Sequence, residues 1–360
     1  MILAVPRLLR LSLAITLLIF GPLFAVAPVA LRQSSVSTAD SLLPGPRPPD
    51  VPLDWKQIAG IYKAGKEAIV IFERNGKLFY AVAGAIELPL KKDQAGRYFI
   101  SSKEGDHGQV WFERSISGQV TALSLNKVLM PRSDAGSDPA HFYHVSPVQP
   151  ISELREAALK LSPPVETGPF RKPDLVELAT VDPVIHLDIR YASAKNFLST
   201  PVYTQARAFM QRPAAEALLR VLHKLQPLGY GLLIHDAYRP WYVTKIFWDA
   251  TPAEGKIFVA DPEKGSKHNR GCAVDLTLYD LTTGEAVEMA GLYDEMSPRS
   301  FPNFPGGTSL QRWHRDLLRR AMESEGFTVN EDEWWHFDYK DWKQYGILNV
   351  PFEKIAGGSE

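Results

Sequence analysis

The sequence predicts a small antiparallel all-β module followed by a larger α+β domain, and three observations carry that expectation. Short runs of branched and aromatic residues recur between Trp55 and Met130, separated by glycine-bearing turns. After Pro173 the pattern changes to strands mixed with helices. Between the two lies a stretch rich in Ser, Asp, Gly and Pro that reads as a connector. A length of 360 residues allows about two domains, each burying its own core.

Taken in order, residues 1–30 stand apart. Arg7 and Arg10 precede an apolar run from Leu11 to Ala30, broken by Ser12, Thr16, Gly21, Pro22 and Pro28. A basic start, an apolar centre and small residues such as Ala25 and Ala27 describe a secretory signal. The run is also long enough to serve as an uncleaved membrane anchor. Either reading exports the remainder to a periplasmic or extracellular space. Residues 31–53 form a Ser- and Pro-rich linker. Residues 54–131 hold the β-type runs AIVIFER, KLFYAV, AIELPL, RYFIS, QVWFER and VTALSL, with Asn75-Gly76, Gly84, Gly96, Gly105 and Ser117-Gly118 as turns. Their regular spacing predicts an antiparallel barrel or sandwich with no chemistry of its own. Residues 132–172 read as a second linker with one helix, Ile151 to Leu161, stopped by Pro163-Pro164. His107, His141 and His144 fall in turns or linker and read as solvated.

Composition narrows the chemistry. The 40 Lys+Arg against 41 Asp+Glu argue against whole-surface attraction to nucleic acid. The single cysteine, Cys272, excludes an intramolecular disulfide and any CxxC metal knuckle. A metal site must therefore draw mainly on nine histidines and the carboxylates.

Residues 173–354 supply such a constellation. In SKHNRGCAVD, His268 precedes Asp275, with Gly271 between them able to turn the chain so that the imidazole swings back over the acid. The run CAVDLTL reads as a strand with Ala273, Asp275 and Thr277 on one face and Cys272 on the other, as a packing residue. Alone, Asp275 is equally an acid paired with an arginine or capping a turn. In EWWHFD, the stretch Trp334–Tyr339 alternates as a strand and places His336 with Asp338, while Glu333 belongs to the preceding turn. Two histidines and one aspartate make a three-ligand zinc site with one position open, and Glu333 is placed to act as a base beside it. Trp334 and Trp335 read as core or rim aromatics. In GYGLLIHDAYRPW, GLLI is a buried strand, Pro240 opens the helix PWYVTKIFWDA, and Arg239 sits at the junction. There it is either an oxyanion stabiliser or one half of a structural salt bridge; His235 reads as core.

Together, S-x-H-x-x-G-x-A-x-D, E-x-W-H and D-x-Y-R-P resemble the VanX-type D-alanyl-D-alanine dipeptidases. That family lies in the zinc D,D-peptidase superfamily, with D,D-carboxypeptidases and the hedgehog signalling domain. The resemblance extends to DIRYASAKNF and LYDEMSPRS. It implies an α+β catalytic domain of the zinc D,D-peptidase/hedgehog type and one Zn2+ on His268, Asp275 and His336. It further implies Glu333 as catalytic base, Arg239 on the oxyanion, and Ser266 and Asp294 in binding a small dipeptide, Asp294 near its amino group. Two other readings stay open: a D,D- or L,D-carboxypeptidase acting on peptidoglycan stem peptides, and a non-catalytic zinc-containing binder of cell-wall peptide.

Overall fold

The computed structural model describes residues 40–355 apart from 83–86, 103–104 and 135–143. The leader, Gly84, His141 and the side chain of His107 thus lie outside the described residues; His144 is exposed. Among the described residues no helix is long and apolar enough to cross a membrane.

A short helix α1 (Leu53–Ile58) leads into eight antiparallel strands: β1 (Gly60–Ala64), β2 (Glu67–Arg74), β3 (Lys77–Val82), β4 (Glu87–Lys92), β5 (Tyr98–Ser102), β6 (Gly105–Arg114), β7 (Val120–Leu125) and β8 (Val128–Pro131). Each pairs with its neighbour in sequence. Asn75 and Gly76 both take positive φ, 52° and 72°, the turn that a two-residue hairpin between right-twisted strands requires. The Tyr62↔Arg132 bridge and the hydrogen bond from Ser133 N to Ile61 O bring β1 against the end of β8. The sheet is thereby a nearly closed barrel, filled by Tyr62, Ile71 and Leu123 among others. The six runs read from sequence fall on β2 to β7. The outer strands β1 and β8 have less alternation to reveal them.

After α2 (Ile151–Leu159) come β9 (Leu175–Glu177), α3 (Leu178–Val181), β10 (Ile185–Leu187), β11 (Phe209–Gln211), α4 (Arg212–Leu225), β12 (Tyr230–Asp236), α5 (Trp241–Ala250), β13 (Ala273–Asp280), α6 (Ser309–Glu323), β14 (Phe327–Val329) and β15 (His336–Tyr339). Five strands form one sheet in the order β10-β12-β13-β15-β14, parallel only between β10 and β12, and β9 pairs with β11 apart from it. Val274, Leu276 and Phe337 on one face join a core with Leu218 and Leu222 of α4 and Leu317 and Leu318 of α6. Ile151, Leu154 and Ala158 of α2 enter the same core, so this helix is packed rather than suspended in a linker. Two local expectations are corrected. Pro240 is the residue before α5, with extended ψ of 142°, so the helix begins at Trp241. Trp334 and Trp335 lie in the turn, and the strand starts only at His336, because Trp334 N is drawn to Ser300 O and His336 N to Glu333 O.

The sheet register positions the site. Asp236 stands opposite Asp275, and Asp275 opposite His336, so three neighbouring strands present one row of polar side chains. Regular pairing would have set His235 against Asp275, since Ile234 pairs with Leu276. A one-residue bulge between Ile234 and Asp236 changes the face presented.

Candidate active site

Three lone-pair atoms converge on the row. His268 Nε2 lies 3.3 Å from Asp275 Oδ1, His336 Nδ1 lies 3.0 Å from that oxygen, and the two nitrogens are 3.0 Å apart. The cluster is the metal-competent group found among the described residues, and all three side chains are buried. His268 reaches it from a 3-10 turn, His268–Arg270, that ends on Gly271 at φ 68°. This is the turn expected from the glycine. A Cβ at Gly271 would meet Leu175 Cδ2 at 2.6 Å, the mobile tip of a half-buried side chain, so it is chiefly the positive φ that asks for glycine here. Gly271→Ala is expected to destabilise the fold by about 1–2 kcal/mol or more, and to lower bound metal by displacing His268. Thermal unfolding with metal analysis checks both.

The outer contacts fix which ring nitrogen is free. His268 Nδ1 lies 2.6 Å from Ala237 O, a partner that can only accept, so Nδ1 carries the proton and Nε2 keeps its lone pair. His336 Nε2 lies 3.0 Å from Asp338 Oδ1, and Asp338 in turn takes a 2.7 Å bond from Lys267 Nζ. His336 Nδ1 is therefore the ring atom turned toward Asp275 and free to ligate a metal, the orientation a carboxylate gives to metal histidines. Asp275 Oδ2 accepts from the Tyr293 hydroxyl at 3.1 Å, whereas buried Oδ1 receives no hydrogen bond from the described residues. An orphaned carboxylate oxygen facing two imidazole lone pairs is a donor set that zinc satisfies. Burial opposes charge on His336, but the carboxylates of Asp275 and Asp338 beside it prevail and push it up to about 10. Burial likewise opposes ionisation of Asp275, yet the imidazoles beside it hold its carboxyl well below the usual range.

Around this centre lies a cavity of about 450 Å³, a size suited to a small ligand. Glu333, Arg239, Ser266 and Asp294 all line it, together with Tyr191 and Trp335. Glu333 occupies the turn before β15, with Oε2 3.6 Å from His336 Nδ1 and held by Asn330 Nδ2 at 3.1 Å. Burial raises its carboxyl above the ordinary value, even against the pull of the His336 imidazole, which suits a group that must accept a proton. Arg239 is buried between the rings of Tyr191 and Phe247, 5.3 and 4.8 Å from their centroids. Burial disfavours its charge, but Asp236 at 2.7–2.9 Å keeps it protonated. Its salt bridge and its place in the cavity coexist, so the two readings of Arg239 are compatible. Asp294 holds φ of 57°, and its oxygens accept from Tyr191 Oη at 2.9 and 3.2 Å. Burial and then the nearby charge of Asp275 raise its carboxyl well above the usual range. A cation entering the cavity would relieve both penalties.

A family model described as D-ala-D-ala dipeptidase matches residues 171–354, half of the chain. The chain belongs to that family. Over 179 residues it is 35% identical to a D-alanyl-D-alanine dipeptidase of Escherichia coli strain K12, which covers 50% of this chain and 91% of that protein. D-alanyl-D-alanine dipeptidases of Enterococcus faecium and Streptomyces coelicolor are 35% and 34% identical, covering 45% and 44% of this chain and 90% and 87% of theirs. The barrel precedes the stretch that the family model matches.

The surroundings of the cavity also contain residues to which sequence reading gave no part in the site. Asp236 fastens Arg239 and accepts from Tyr203 Oη at 2.7 Å. Asn269 receives Ser266 N at 2.7 Å and donates to Arg239 O and Thr244 Oγ1, both at 2.8 Å, tying two site segments together. Tyr293 stacks on His235 at 4.5 Å, which leaves that histidine in a packing role. Cys272 is buried, and burial pushes its thiol up to about 12, in keeping with a packing residue. Only DAYRP, with Asp236 three residues before Arg239, carried a sequence signal for any of these.

Proposed function

We propose that this protein hydrolyses the dipeptide D-alanyl-D-alanine as a zinc metallopeptidase. The observation that carries the reading is the convergence of His268 Nε2, Asp275 Oδ1 and His336 Nδ1, with Glu333 beside them but outside the trio. His268, Asp275 and His336 would hold the zinc, which when bound would supply Lewis acidity and make a water acidic enough to lose its proton near neutral pH. Glu333 takes the proton from the attacking water and delivers it to the leaving amine. Arg239, fixed by Asp236, stabilises the oxyanion that develops on the scissile carbonyl. Ser266 borders the substrate, and Asp294 pairs with its α-ammonium. A peptide-blocked nitrogen brings no charge and leaves a buried acid uncompensated, which is how a dipeptidase rejects longer chains.

The division into residues 54–131 as a β module and 173–354 as an α+β domain of the D,D-peptidase/hedgehog type belongs to the same reading. It is supported by the barrel and the mixed sheet with its site on one row. Export by residues 1–30 would place the enzyme where dipeptide is released from peptidoglycan, with scavenging as its task.

Zinc analysis with rates on D-Ala-D-Ala, N-acetyl-D-Ala-D-Ala and a D-Ala-D-Ala-terminated tripeptide tests the proposal. The free dipeptide is the expected substrate, with about one zinc per chain. Equal turnover of the blocked peptides would favour the carboxypeptidase, and binding without turnover the peptide binder. Asp294→Asn is expected to raise KM for the free dipeptide about 10–100-fold, the worth of a hydrogen bond to a charged group, while kcat changes less. Steady-state kinetics on free and blocked dipeptide measure this directly.

A further inference from the structure

The barrel reaches the cavity through a buried chain of charges. At the barrel's closing seam, Arg132 donates to the carbonyls of Gln57 and Ala59 at 2.6 Å and pairs through Nε with Asp134 Oδ1 at 2.6 Å. Asp134 also accepts from Ile61 N, and its side chain is completely enclosed. Its Oδ1 lies 3.3 Å from Arg299 Nη1. Arg299 Nε donates to Ala290 O at 2.9 Å and stands 3.6 Å from Glu295 Oε2. Glu295, the neighbour of Asp294, accepts from Leu292 N at 2.9 Å and from Ser297 Oγ at 2.7 Å, so the loop 292–297 folds around it. On the other flank, Ser300 O accepts from Trp334 N at 2.8 Å, one residue from Glu333. Arg299 therefore sits between the wall that carries Asp294 and the turn that carries Glu333. Ile61 and Val70 of the barrel pack on Ala290 and Phe304 beside it.

We propose that the barrel is a positioning element for substrate recognition: Asp134, through Arg299 and Glu295, holds the 292–300 loop so that Asp294 faces the substrate's amino group. What Asp294 faces rests on the dipeptidase reading above; the bracing of the loop does not. Asp294 holds a left-handed φ, which aspartate reaches more readily than most residues with side chains, in a loop that Glu295 closes through Leu292 N and Ser297 Oγ. Neutralising Asp134 would take from the buried Arg132 its carboxylate and leave Arg299 only that of Glu295, which slackens the link between the barrel and the loop. A second junction provides the control. Buried Glu73 of β2 accepts from Ser309 N and Gly76 N, both at 2.6 Å, and braces the start of α6 rather than the loop.

The test compares full-length D134N, R299K and E73Q with the unaltered protein by hydrogen exchange and by kinetics on free and N-acetylated D-Ala-D-Ala. D134N is expected to speed exchange across residues 290–300 and to raise KM for the free dipeptide about fivefold or more, with kcat within about twofold. Its preference for the free amine narrows. R299K, which keeps the charge but loses the fork, gives the same changes at smaller size and carries the comparison if D134N does not fold. E73Q is expected to lower Tm and leave loop exchange and KM unchanged. Unchanged loop exchange and KM in folded D134N, or in R299K in its place, would overturn the proposal. So would an equal KM rise in E73Q, which would mean general destabilisation. Failure of the unaltered protein to cleave D-Ala-D-Ala would instead remove the dipeptidase reading, and the exchange data would still decide the bracing.

Discussion

Glu333→Gln is expected to lower kcat for D-alanyl-D-alanine by about 10²–10⁴-fold, with zinc content and KM little changed. The reason lies in the separation of ligation from proton transfer. In the proposed mechanism His268, Asp275 and His336 are the ligating trio, whereas Glu333 approaches it from the turn before β15 and is held by Asn330. Glutamine keeps the length and a carbonyl for the Asn330 amide to donate to. It cannot take a proton from water or return it to an amine. A half-buried side chain in the cavity wall, lifted above its ordinary pKa by burial, suits that traffic, and the amide has no equivalent. Zinc content measured beside kcat separates this role from metal binding. Turnover within twofold of the unaltered enzyme would remove Glu333 from the mechanism.

Stripping the protein with a chelator is expected to abolish turnover and lower thermal stability, with both restored by zinc. At a free metal concentration 1,000 times Kd, binding to the native state alone contributes about 4 kcal/mol. The fold is expected to survive removal, because the centre stands on strands β13 and β15 and on the turn closed by Gly271, each secured by backbone pairing and apolar packing. What changes is the centre itself, where the orphaned Asp275 oxygen loses the one partner that its two imidazole neighbours leave room for. Calorimetric scans of stripped and reloaded protein, with activity measured on each, make the comparison. Full activity in protein shown to be metal-free would defeat the zinc reading.

The parts of the site that sequence revealed are those built within short segments. His268, Gly271 and Asp275 lie on one turn and strand, and Glu333 and His336 on one turn, so spacing alone constrains their geometry. Asp236 shows in the motif D-x-Y-R-P, but its place beside Asp275 was hidden for the opposite reason. Its position opposite Asp275 depends on a bulge, and a bulge alters register without leaving a mark in hydrophobic alternation. Tyr191, Tyr203 and Tyr293 bring hydroxyls to Asp294, Asp236 and Asp275 from segments 103, 33 and 18 residues away, and no periodicity reports such pairings. The two tryptophans before His336 imitated a strand because aromatics favour one, yet hydrogen bonds to the Ser300 and Glu333 carbonyls claimed their backbone for a turn. In the barrel, six strands could be read from alternation. Asp134 lay in what composition described as connector, and only the fold gives it Arg299 as a neighbour.

The order of barrel pairing sets a timetable for the nascent chain. Every ladder in the barrel joins strands adjacent in sequence, and the seam needs nothing beyond Asp134. The ladders are local and only the seam, Tyr62 to Arg132, spans the whole module, so the barrel can be complete while more than half of the protein is still unsynthesised. The five-stranded sheet must wait for its last member, since β15 is inserted between β13 and β14. The later half is thus built against a finished surface, with Ile61, Val70 and Asp134 already in place as a template when the 290–307 segment emerges.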